Sequence, residues 1–114
     1  MKTWDDWSDF EINCSMAIAQ GCDVVVELSP SSSSVYCGYE GLESTQAERD
    51  YCNNPADIWP IIYNNEIQVT PSKSELSSAA TFTNHGYVDK ERYDKNPLRA
   101  AAIVFLMMNG VNPE

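Results

Sequence analysis

The sequence predicts an α+β fold in which a small antiparallel sheet packs against an N-terminal and a C-terminal helix. Three observations carry that expectation. Capping signals at Ser8 and Asn96 mark a helix near each end of the chain. The β-branched run Val24-Val25-Val26 and the segment from Val35 to Tyr39 supply short strands between them. A length of 114 residues, with 43% hydrophobic and 21% charged residues, suits a single domain over 1–114 with one core.

The first helix starts at Ser8, whose hydroxyl and Glu11 three residues on form a capping box, with Trp7 and Ile12 placed as a hydrophobic staple. Gly21 ends it. Phe10, Cys14, Ala17 and Ile18 follow helical spacing and predict its core face. Strands within 23–28 and 35–39 follow, joined by the serine- and proline-rich stretch 29–34 as a hairpin connection or loop. Glu40 to Asp50 reads as an acidic, exposed loop.

Asp57 as N-cap with Pro60 in the first turn predicts a short helix from Ile58 to Asn64-Asn65, where asparagine tolerates the left-handed conformation. A strand over Ile67 to Val69 follows. Ser72 and Glu75 repeat the capping-box spacing and predict a short helix to about Thr81, and residues 82–95 read as irregular. The last helix has Asn96 as N-cap, Pro97 at its first position and Gly110 beyond its end. Its interior, Ala100 to Met108, is apolar nearly all round. Such a helix is either the centre of the domain or is covered by a second subunit, which leaves a homodimer open.

The N-terminus has no apolar stretch to act as a secretory signal, and Ala100 to Met108 is far shorter than a membrane span. The expectation is a cytoplasmic protein without membrane contact. Cys14, Cys22, Cys37 and Cys52 lack close C-x-x-C pairs and read as buried thiols. Net charge is -10. Residues 1–57 hold eleven acids against Lys2 and Arg49, whereas the remainder is almost balanced, so direct binding to nucleic-acid phosphates is disfavoured.

Three stretches together resemble the NinX family of small proteins encoded by lambdoid phages and prophages. They are Ser8-Asp9-Phe10-Glu11-Ile12-Asn13, Cys52-Asn53-Asn54-Pro55-Ala56-Asp57-Ile58-Trp59-Pro60-Ile61-Ile62, and Asn96-Pro97-Leu98-Arg99-Ala100-Ala101-Ala102-Ile103-Val104-Phe105-Leu106-Met107-Met108. The resemblance implies a phage accessory protein made inside an infected bacterium. It brings no catalytic residues to carry over.

Chemistry-bearing residues are few. His85 is the sole histidine and sits in a turn-like Asn84-His85-Gly86. Asp5, Asp6 and Asp9 lack calcium-loop spacing, and no glycine-rich phosphate loop is present, so neither a metal nor a cofactor is expected. The best candidate ligand site joins Asn53, Asn54, Asp57 and Trp59 at a helix start, with Arg99 added for charge. The plainer reading is that Asn54 and Asp57 cap backbone groups and Trp59 packs in the core, with Arg99 in an internal salt bridge.

The leading functional expectation is non-enzymatic binding of a host component, a protein or a small molecule, with counter-defence as one use. An acidic surface at Glu40, Glu43, Glu48 and Asp50 could cover a basic host surface or mimic nucleic acid. Alternatively, a pocket near Trp59 sequesters a small molecule or nucleotide. A small enzyme is the least favoured class.

Overall fold

The computed structural model describes residues 2–22, 24–27, 33–39 and 42–113. A 3-10 turn at Trp4–Asp6 leads into α1 (Asp9–Ala19), then β1 (Val24–Glu27), β2 (Val35–Tyr39) and β3 (Leu42–Arg49). Helix α2 (Pro55–Asn64) precedes β4 (Gln68–Thr70), β5 (Ser77–Phe82) and β6 (Val88–Asp94), and α3 (Pro97–Met108) ends the fold. The fold is α+β, as the sequence predicts, with two antiparallel three-stranded sheets ordered β1-β2-β3 and β4-β5-β6.

Helix α3 is the centre of the molecule. Every residue from Ala100 to Leu106 is buried, and α3 contacts β4, β5 and β6 as well as α1 and α2. The chain itself therefore covers the apolar face that left a second subunit open. Asn96 caps α3 by accepting from Leu98 N and Arg99 N, Pro97 occupies the first position, and Gly110 sits beyond the end at φ +77°.

Helix α1 begins as predicted, with Ser8 Oγ accepting from Glu11 N and Glu11 Oε1 accepting from Ser8 N. Its buried arc is wider than the predicted stripe. Ile12 and Met16 join the main core with α3, while Phe10, Cys14 and Ala17 pack with Cys22 and Val35 beneath the first sheet. Ile18 is 63% exposed, because at about 100° per residue it stands roughly 140° round the helix from buried Asn13.

Four expectations are corrected. The supposed acidic loop forms β3 over Leu42–Arg49, pairing with β2 across an irregular register near Cys37 and Tyr39. Helix α2 starts at Pro55, not Ile58, because Asn54 is the N-cap, its Oδ1 accepting from Ala56 N, and Pro60 lies inside the helix. Ser72 Oγ does accept from Glu75 N, but the pair closes a turn and strand β5 follows where a helix was predicted. Residues 88–94 form β6, joined to β5 by a turn in which Thr83 N donates to Tyr87 O and Gly86 takes φ +85°. His85 is exposed in that turn. The serine-rich connection falls mostly outside the described residues, although β1 and β2 do pair antiparallel.

Candidate functional site

The predicted site residues separate into three places. Arg99 anchors an internal polar network rather than a ligand pocket. Its Nη1 donates to Asp9 Oδ1 at 2.6 Å, its Nε to Asp94 Oδ2 at 3.2 Å, and its Nη2 to the carbonyls of Trp4 and Trp7 at 2.9 and 2.6 Å. The cation at the start of α3, unfavourable for the helix dipole, is thereby balanced by two carboxylates. Arg92 extends the chain of charges by pairing with Asp5 and Asp94.

A second set of bonds adjoins it. Asn13, fully buried, donates to Ser33 O and Asp50 Oδ1 and accepts from Cys52 N. Asn53 Nδ2 reaches Asp9 and Asp50, and Asn96 Nδ2 donates to Cys52 O at 2.6 Å. All three segments that carry the family resemblance meet here. Burial, with Asp9 nearby, pushes the Cys52 thiol up and keeps it protonated.

Asn53, Asn54 and Asp57 line a shallow depression of about 320 Å³ together with Ser34, Glu48 and Asp50. Asn54 caps α2, Asp57 Oδ2 accepts from Asp50 N, and Asp50 accepts from Asn13, Ser33 and Asn53. Of the predicted acidic surface, Glu48 is exposed and Asp50 is turned inward to this network. Glu40 lies outside the described residues, and Glu43 is placed only as a position in β3.

Trp59 is elsewhere. It is 60% exposed on α2, not packed in the core, and its ring lies 6.5 Å from that of Tyr63, itself 70% exposed. The two face an open groove of about 1130 Å³ between the C-terminal half of α2 and the β4–β5 end of the second sheet. Phe82 adds a third exposed aromatic, and Leu98 and Val69 line its apolar floor. Glu66, which turns α2 into β4, also lines it and holds φ +51°, a left-handed conformation that costs a non-glycine residue about 1–2 kcal/mol. From the sequence alone that turn falls on Asn64-Asn65; Phe82 falls in an irregular stretch and Tyr63 has no role, because one-turn spacing from Trp59 does not say whether a helix face is covered.

The lining described contains no histidine, cysteine, lysine or arginine, and Glu66 is its carboxylate. Aromatic faces, amides and hydroxyls in an open groove can hold a ligand by stacking and hydrogen bonding. Among the described residues, no helix is long and apolar enough to cross a membrane.

A small α+β protein with two antiparallel three-stranded sheets, the second packed on a central C-terminal helix and the first on α1, is the class these features define. The chain belongs to the Bacteriophage P22 NinX family, whose model matches residues 4–109, and it is a phage accessory protein. Its fold is similar to that of a solved structure described as the 2.0 Å crystal structure of a phage protein from Bacillus cereus ATCC 14579, with a TM-score of 0.65 at 15% identity over 95% of this chain and 93% of the other. No curated protein matches the sequence.

Proposed function

We propose that this phage accessory protein acts without catalysis in the cytoplasm of the infected bacterium, by holding a host component in the groove beside Trp59. The exposed Trp59–Tyr63 pair carries this reading. An aromatic pair left mostly in water forgoes the 1.5–3 kcal/mol or so that burying each large apolar side chain would give the fold, so its placement is better explained by a partner than by stability.

Native mass spectrometry of the protein after incubation with host lysate tests the proposal. The expected result is a retained host component that is lost from a Trp59→Ala, Tyr63→Ala double variant with unchanged circular dichroism and Tm. Equal retention by the variant would refute the groove as the site.

A further inference from the structure

The groove's polar lining narrows the ligand class, on the understanding that the groove is the site proposed above. Asn64, Gln68 and Asn84 line it, all exposed, and among the described residues none of their side chains bonds another protein group. Each amide offers a donor and an acceptor side by side, the arrangement that matches the hydrogen-bonding edge of a nucleobase. Trp59 and Tyr63 offer flat faces of the kind on which bases stack. Glu66 offers a carboxylate, which elsewhere accepts from ribose hydroxyls.

Charge sets the other boundary. No cation is among the described lining residues and the chain carries a net charge of -10, so a phosphate-rich ligand would meet repulsion without a compensating ion pair. A basic peptide could pair its backbone with the three amides, but it would find in Glu66 a single carboxylate for its cations.

We propose that the groove binds a nucleoside or free nucleobase, with the base stacked on Trp59, the Tyr63 ring, tilted 49° to that of Trp59, against its rim, the base edge met by Asn64, Gln68 and Asn84, and the sugar hydroxyls held by Glu66. Adenosine, guanosine, cytidine and uridine, each titrated to about millimolar concentration, are the probes, read through the tryptophan indole N–H signals in NMR. Buried Trp4 and half-buried Trp7, the latter donating its indole N–H to Pro113 O, serve as internal references.

The expected result is that at least one nucleoside moves the Trp59 signal and leaves the references in place. Measured by calorimetry, since these variants lack the reporting indole, Trp59→Ala then weakens that binding by about five- to a hundredfold, while Trp59→Phe, which keeps a stacking face, retains most of it. Glu66→Gln weakens the ribonucleoside and leaves the 2′,3′-dideoxy analogue unchanged. The class is overturned if no nucleoside moves Trp59, if a Leu-Arg-Leu-Arg peptide moves it instead, or if adenosine monophosphate binds about tenfold tighter than adenosine. Should lysate components still be retained through Trp59, only the ligand class falls. Loss of that dependence would remove the groove reading as well.

Discussion

Replacing Arg99 with methionine should be among the most damaging single changes in this protein, for a reason that can be worked from its bonds. The guanidinium side chain is 12% exposed and holds four acceptors on three segments: Asp94 at the end of β6, Asp9 at the start of α1, and the carbonyls of Trp4 and Trp7. Methionine keeps most of the packing and removes every donor. Asp94, also 12% exposed, would retain Asn96 N and a long contact to Arg92, and Asp9 would retain Asn53. Removing one partner of a buried pair costs about 3–5 kcal/mol, and the residual bonds place this case near about 3 kcal/mol. For a chain of this size, that is a fall in Tm on the order of 12 °C. Urea unfolding followed by circular dichroism should show the midpoint falling with an unchanged slope. Arg99→Lys should recover less than half, since an ammonium cannot reach acceptors spread in a planar fork. The Arg99→Met, Asp94→Asn pair should cost less than the sum of its parts. A loss below about 1 kcal/mol for Arg99→Met would show that water replaces the guanidinium and refute the network as a source of stability.

Two further outcomes follow from ionisation. Burial raises the Cys52 thiol, so iodoacetamide near neutral pH should leave Cys52 unlabelled in the native protein and label it in denaturant; rapid native labelling, mapped by mass spectrometry, would contradict that environment. The Ser8 backbone N–H lowers Glu11, with Lys2 adding a smaller effect, so its contribution is in full above the ordinary carboxylate value of 4.5 and fades as pH falls through the lowered one. Glu11→Gln should therefore flatten the acid side of the stability–pH curve, and an unchanged curve would mean that the capping box carries no charge-dependent stability.

The helices were more legible than the strands, and the reasons are specific. Asn96-Pro97 is readable because a long apolar run follows it, whereas the same doublet at Asn54-Pro55 is masked by Pro60, whose place in a first turn points to Asp57 as the cap. The structure keeps Pro60 inside α2, where it is exposed, so that the hydrogen bond it cannot make leaves a carbonyl open to water. Strand β5, Ser-Ser-Ala-Ala-Thr-Phe, has little β-propensity; it forms because Ser77, Ala79 and Thr81, alternate positions on one face, are small enough to be buried where α3 packs. Strand β6 hides its pattern differently, since its half-buried face carries Lys90, Arg92 and Asp94, and Asp5 and Arg99 neutralise the last two. Sequence periodicity sees apolar residues and cannot see charges that are paired at a distance.

The same separation bears on function. The polar network draws on all three segments that carry the family resemblance, and its bonds are directed within the chain. The groove shares α2 and, through Leu98, the start of α3 with those segments, but its rim is lined by side chains that the fold leaves in water, beside a non-glycine residue in a left-handed turn. Local costs that packing does not repay tend to mark working sites. Trp59 and Glu66 meet that description, whereas Arg99, Asn53 and Asn54 do not. Substitutions at the first pair should then alter binding with little effect on stability, and substitutions at the second set should alter stability first, so that the two roles can be separated in one protein.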